Sequence, residues 1–239
     1  MKYGGTVIHK ARDEYGIIEV IENRTLRKMH FDSPIEQSCM FRDAPMTLNF
    51  EYQQKMVALV NEHSQHLKNP KPYRVLMLGM GGGSIAHHLY HSMPNIQMTV
   101  VELRQIVIDA AYRFFQLPDV PEVEAVQANA IDYMNELAES CRDNPLHQYD
   151  CVLVDIFDSQ GIPSELCDLD FHYNLMPCIN TQGRLIFNLW NRFDHSRMLE
   201  HTEETALIKT FWDEQDLQFK QKRGYLMRST ANYIYCLDR

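Results

Sequence analysis

Short β-branched runs alternate with polar residues at the start of the chain, and a strand–helix rhythm replaces them beyond residue 73. Ile17-Ile18-Glu19-Val20-Ile21-Glu22 is partly alternating, and Asn23-Arg24 can turn the chain. Thr25-Leu26-Arg27-Lys28-Met29-His30-Phe31 alternates again before a second turn signal, Asp32-Ser33-Pro34. The pattern predicts one or two hairpins. Residues 49–66 then read as a helix, with Phe50, Met56, Val57 and Val60 near one stripe. A boundary at this change divides the chain into an N-terminal β-hairpin domain, 1–48, and a larger domain, 49–239.

In the larger domain, strands are predicted over 74–78, 97–101, 123–127, 151–154 and 184–189. Helices are predicted over 84–91, 105–115 and 131–140. The tail reads as a helix near 199–212 and two strands, near 217–220 and 232–237. Strands spaced by helices imply a parallel sheet covered on both faces. The predicted fold class is therefore α/β, a parallel sheet layered by helices with a small hairpin domain before it.

Ligands of such sheets bind beyond the carboxyl ends of the strands. Gly79, Gly81, Gly82 and Gly83 follow the first strand of the repeat, where glycines let backbone approach a ligand. Glu102 closes the next strand, where a carboxylate can accept both hydroxyls of a ribose. Strand, glycine turn, helix, strand and acid form a nucleoside-binding arrangement. The run Gly79-Met80-Gly81-Gly82-Gly83-Ser84 lacks the third glycine of the dinucleotide fingerprint. That disfavours NAD and favours ligands of the S-adenosylmethionine type, which need no pyrophosphate cradle.

After the strand at 151–154 come two acids, Asp155 and Asp158. Asp155 is the first residue past the apolar run and is expected in the same crevice, and Asp158 can return to it through the turn. A sulfonium ligand is cationic, and so is an amine before it loses its proton; two carboxylates can hold both. The competing reading of Asp158 is a helix cap or a solvated loop residue.

Together these residues resemble the spermidine synthase family, the polyamine aminopropyltransferases, over about residues 15–188. The resemblance implies a β-hairpin domain joined to a methyltransferase-like Rossmann domain. It places Gln37 and Gly79, Gly81, Gly82 and Gly83 against the nucleoside, and makes Glu102 the ribose acid. Asn129-Ala130 falls where the family's Asp-Ala contacts the adenine edge. Tyr52-Gln53 matches a Tyr-Gln at the substrate channel, and Asp155-Ile156-Phe157-Asp158 matches a D-S-S-D segment. The implied chemistry is aminopropyl transfer from decarboxylated S-adenosylmethionine to a polyamine, with Asp155, Asp158 and Tyr52 as catalytic residues. Tyr52, Gln53, Asp155 and Asp158 would hold the small-molecule amine.

The sequence also departs from that pattern. Gly82 stands where the family has an Asp that holds the donor's amine, so ordinary S-adenosylmethionine is not excluded on charge. Gln54 replaces a Glu, Leu48 and Asn49 replace an acidic pair, and Asn188 stands where Gln is common. A methyltransferase using ordinary S-adenosylmethionine, and a nucleoside-binding or interaction protein without turnover, therefore remain as alternatives.

Composition bounds the partners. The net charge of −9 argues against a nucleic-acid partner. No apolar run approaches the ~20 residues that cross a bilayer, so no membrane partner is expected. The first six residues lack the apolar core of a signal peptide, so the mature chain is expected to begin there, in the cytoplasm. Six scattered cysteines contain no C-x-x-C. Cys151 and Cys178 read as buried small hydrophobes. His87, His88 and His91 read as residues of a surface helix, and no metal is expected. Lys220-Gln221-Lys222-Arg223-Gly224 reads as a solvated basic turn. The family resemblance and the thin core of the hairpin region point to a homodimer.

Overall fold

The computed structural model describes residues 2–67, 71–158, 160–193, 198–215 and 218–239. Four antiparallel strands form the first sheet in the order β1-β2-β3-β4: β1 (Thr6–Asp13), β2 (Gly16–Glu22), β3 (Leu26–His30) and β4 (Glu36–Phe41). The two alternating runs read from sequence are β2 and β3. The strands flanking them complete two hairpins.

Helix α1 (Glu51–Leu67) leads into the second sheet. Its parallel part is β5 (Tyr73–Leu78), β6 (Ile96–Glu102), β7 (Val123–Gln127), β8 (Tyr149–Val154) and β9 (Ile179–Phe193). The helices between these strands are α2 (Ser84–Ser92), α3 (Gln105–Phe114), α4 (Ala130–Asp143) and α5 (Leu169–Cys178). The chain ends with β10 (Leu199–His201), α6 (Glu203–Asp213), β11 (Gln221–Met227) and β12 (Asn232–Asp238). The strand order is β11-β12-β9-β8-β5-β6-β7, with β12 antiparallel between β9 and β11 and β10 pairing with β9.

Strand periodicity divides the core between the two faces. Val75 and Met77 of β5 pack with Met56 and Val60 of α1 and with Ile85 and Leu89 of α2. Leu76 and Leu78 face Met134 and Ala138 of α4, Leu175 of α5 and Trp212 of α6. All six residues of β8 are buried, as a strand covered on both faces requires. The small sheet buries Ile18, Val20, Met29 and Met40 against Val107, Ala110 and Phe115. That packing onto α3 and the segment after it sets the hairpins over the carboxyl end of the parallel strands.

Three expectations for the tail change. The helix expected over 199–212 is β10 followed by α6, because the Thr202 side chain accepts the Thr205 N–H and starts the helix there. The strand expected near 217–220 falls partly on residue 217, outside the described residues; the strand itself is β11. The basic segment read as a solvated turn belongs largely to β11. There Arg223 reaches Glu62 at 3.0 Å and Asp238 at 2.9 Å.

His87 differs as well. It is buried, and its Nδ1 bonds the Gln116 carbonyl at 2.7 Å. Cys151 and Cys178 are fully buried, as expected. No helix among the described residues is long and apolar enough to cross a membrane.

Candidate active site

The turns after β5, β6, β7 and β8 converge at the carboxyl edge of the sheet, and the small sheet and α1 close over them. They enclose a cavity of about 710 Å³. Gln37, Tyr52, Gln53, Gly79, Gly81, Glu102, Asn129, Ala130, Asp155 and Asp158, all singled out from sequence, line it. Gly82 and Gly83 do not.

The glycine loop owes its shape to close packing. Gly79 has φ +87°, and a Cβ there would lie 2.1 Å from the Asp155 carbonyl oxygen. The loop is thus pressed onto the backbone of the acidic segment. The Gly82 N–H donates to Ser38 Oγ at 2.5 Å. A Cβ on Gly82 would meet Ser38 at 2.9 Å and Phe115 at 3.1 Å. A Cβ on Gly83 would meet Leu117. These two residues fasten the loop to the small sheet and to the segment after α3.

Glu102 ends β6 with both oxygens engaged. Oε2 accepts the Met80 N–H at 3.2 Å and Oε1 accepts the Arg104 N–H at 3.0 Å. It therefore ties the glycine loop to the next helix entry, and with the Gly81 N–H also directed at it the carboxylate keeps acceptor capacity for a ligand hydroxyl. Burial raises its pKa, against the hydrogen bonds from the backbone of Arg104, Met80 and Gly81. Asn129 caps α4 by accepting the Ile131 N–H at 2.8 Å, which leaves its amide NH2 to face a ligand.

Asp155 and Asp158 have different surroundings. Asp155 is enclosed, and burial pushes its carboxyl up to about 6, opposed by a hydrogen bond from Asn188 Nδ2 at 2.7 Å. Asp158 is exposed, and its Oδ1 accepts the Gln160 and Gly161 N–H groups at 2.6 and 2.9 Å. One oxygen of Asp158 thus builds the loop, and the other remains for a ligand.

On α1, the Tyr52 hydroxyl is held far above its ordinary pKa by burial and by the Asp155 charge. Gln53 donates to it at 3.4 Å, while the buried Gln53 Oε1 has no partner among the described residues. An unpaired buried acceptor at a cavity wall favours a ligand that donates there.

Among the described residues, five carboxylates line the cavity, those of Asp32, Glu102, Asp155, Asp158 and Glu165, against the guanidiniums of Arg12 and Arg104. Arg104 is bonded by Asp13 at 2.7 and 3.0 Å and by the Gly16 carbonyl at 3.1 Å. The balance favours a cationic ligand. Of the charged lining groups, Arg12 near the end of β1, Asp32 in the turn after β3, Arg104 just before α3 and Glu165 in the segment after β8 were not singled out from sequence, because no distinguishing spacing marks them.

The departures noted in sequence have structural counterparts. Gln54 donates to the Leu48 carbonyl at 2.8 Å, and Leu48 is buried in the core around α1. Neither adds charge to the cavity. Among the described residues no group of three or more His, Cys, Asp or Glu side chains could hold a metal.

The chain is thus a methyltransferase-like sheet with a hairpin sheet over its carboxyl edge, enclosing a glycine loop and an acid after each neighbouring strand. Residues 49–208 match the family model "Spermine/spermidine synthase domain", and the chain belongs to that family. It is 30% identical over 175 residues to a polyamine aminopropyltransferase of Chromobacterium violaceum, covering 73% of this chain and 62% of that one. The chain thus spans less than two-thirds of that relative's length. A probable spermidine synthase of Corynebacterium glutamicum shares the fold with a TM-score of 0.73 at 18% identity, covering 96% of this chain and 79% of that one. So does human methyltransferase-like protein 13 in complex with SAH, with a TM-score of 0.64 at 17% identity, covering 78% and 81%.

Proposed function

We propose that the protein transfers an aminopropyl group from decarboxylated S-adenosylmethionine to the amine of a polyamine. The observation that carries this reading is Asp155: an enclosed carboxylate with its pKa raised to about 6, beside Tyr52 and at the end of the strand next to the glycine loop. A base with a pKa near the working pH is suited to proton removal.

In this reading Glu102 accepts the ribose hydroxyls, and Gln37, Asn129 and Ala130 bound the nucleoside. Asp155 accepts a proton from the acceptor's ammonium. The freed amine attacks the carbon next to sulfur, a C–N bond forms, and the C–S pair leaves with the thioether. Gln53 Oε1 and the outer oxygen of Asp158 hold the amine's remaining hydrogens, and Tyr52 fixes its approach. The cavity's excess of carboxylates draws both cations in.

A second reading, methyl transfer from ordinary S-adenosylmethionine, is favoured by one observation. Gly82 brings no carboxylate to the cavity, so nothing at that position repels the donor's own carboxylate. Incubating the protein with each donor and a panel of diamines and polyamines, followed by mass spectrometry, separates the two. An aminopropyl increment supports the first reading and a methyl increment the second. No product with either donor would leave a nucleoside-binding protein without turnover.

A further inference from the structure

Asn188 lies on β9, one strand beyond Asp155, and is buried. It does not line the cavity. Its amide is used at both ends. Nδ2 donates to Asp155 Oδ1 at 2.7 Å, and Oδ1 accepts from Asn232 Nδ2 at 2.8 Å. Asn232 is the first residue of β12, also buried, two residues along from Ile234, the cross-strand partner of Asn188.

An asparagine amide can rotate by half a turn at little steric cost, so its shape alone does not decide which end faces a carboxylate. Here two partners hold one orientation: an ionised Asp155 can only accept and takes the NH2 end, and the Asn232 NH2 takes the oxygen end. Turning Asn188 over would set its NH2 against the Asn232 NH2 and its oxygen against the Asp155 carboxylate. Two buried mismatches would replace two buried hydrogen bonds.

We propose that Asn232 is a positioning residue for the proposed base Asp155, acting through Asn188 by fixing which end of that amide faces the carboxylate. Asn232 touches neither the cavity nor Asp155. This inference rests on the assignment of Asp155 as the base only for its consequence in catalysis, since the relay itself is a property of the folded chain.

A hydrogen bond to the ionised form lowers an acid's pKa, so breaking the relay raises that of Asp155. Several other groups share its surroundings. Tyr52 comes from α1, Glu102 and Arg104 from the end of β6 and the turn after it, and Asp158 and Glu165 from the turns after β8. Arg12, Tyr15 and Asp32 come from the small sheet. None of these is altered in the test.

The test is a titration of the Asp155 carboxyl by carbon NMR of aspartate-labelled protein, in wild type, Asn188→Leu, Asn232→Leu and the double variant. It needs no turnover, so it stands apart from the failure of the proposed transfer reaction. Asn232→Leu is expected to move the midpoint upward by about one pH unit, the scale of one charge-assisted hydrogen bond. The double variant should move no further than Asn188→Leu alone. An unmoved midpoint in folded Asn232→Leu would overturn the proposal. So would additive shifts in the double variant, which would mean that Asn232 acts by another route. Asn232→Ser, too short to span the gap, gives the same reading if the leucine variant does not fold.

Discussion

The carbonyl oxygen of Asp155 occupies the place that a Cβ on residue 79 would need, 2.1 Å away. The glycine loop and the acidic segment are therefore one packed unit, and the position of Asp155 depends on residue 79 having no side chain. Gly79→Ala adds the strain of φ +87° to a backbone clash. It is expected to cost roughly 3 kcal/mol or more, because neither neighbour is a flexible side chain that can yield. Urea unfolding of the variant measures this; a loss below about 1 kcal/mol would show that the contact relaxes.

Gly82 was expected to choose the donor by charge, and its surroundings give a different expectation. Its backbone is outside the left-handed region, so the constraint is Ser38 and Phe115, each about 3 Å from a Cβ. Gly82→Asp should push the small sheet from the loop and weaken ordinary and decarboxylated S-adenosylmethionine in parallel. Titration of both ligands checks this, and opposite changes would restore the charge argument.

Asp155 links stability to pH. Its carboxyl is raised to about 6 from an ordinary 3.8, so the folded chain holds a proton there that the unfolded chain gives up. The stability contributed by the protonated acid is complete below about pH 4. It is lost as the pH rises through about 6, to a total of roughly 3 kcal/mol. Asp155→Asn removes that cost and is expected to raise Tm by several degrees at pH 8, with little change at pH 4. Transfer should fall at least a hundredfold in the same variant. A Tm unchanged or lowered at pH 8 would show that the burial is relieved in some other way.

The homodimer expected from sequence has a candidate surface in β1, the edge strand of the small sheet, where Val7 and Ile8 are exposed. An edge of this kind pairs readily with a second copy. Light scattering at micromolar concentration should give twice the monomer mass, and Val7→Lys with Ile8→Lys should lower it. A monomeric wild type would refute this.

The parallel strands were legible because buried strands read as short apolar runs between glycines and polar turns. Glu102 and Asp155 were legible because each is the first acid where such a run ends. Helix α5 was not assigned from sequence, since Asp170, His172, Asn174 and Pro177 interrupt its apolar stripe. Strand β11 was read as a turn because it is a sheet edge, with only Met227 buried and no alternation to reveal it. Asn188 was noticed only as a departure from the family pattern. Its bond to Asp155 joins residues 33 apart in the chain, which only the β8–β9 pairing brings together. The packing of Gly82 and Gly83 on Ser38, Phe115 and Leu117 was not legible for a related reason. A run of glycines shows that backbone is approached closely, and it does not show whether the approaching group is a ligand or another part of the chain.

Calorimetric titration with decarboxylated S-adenosylmethionine, S-adenosylmethionine and 5′-methylthioadenosine, on wild type and Glu102→Ala, tests the central claim most directly. At least one adenosyl ligand should bind the wild type. Loss of the Glu102 carboxylate should weaken it at least tenfold, as expected for a charged acceptor worth about 1.5–3 kcal/mol. Folded wild-type protein that binds none of the three would contradict an adenosyl-dependent transferase, and unchanged affinity in folded Glu102→Ala would contradict Glu102 as the ribose anchor.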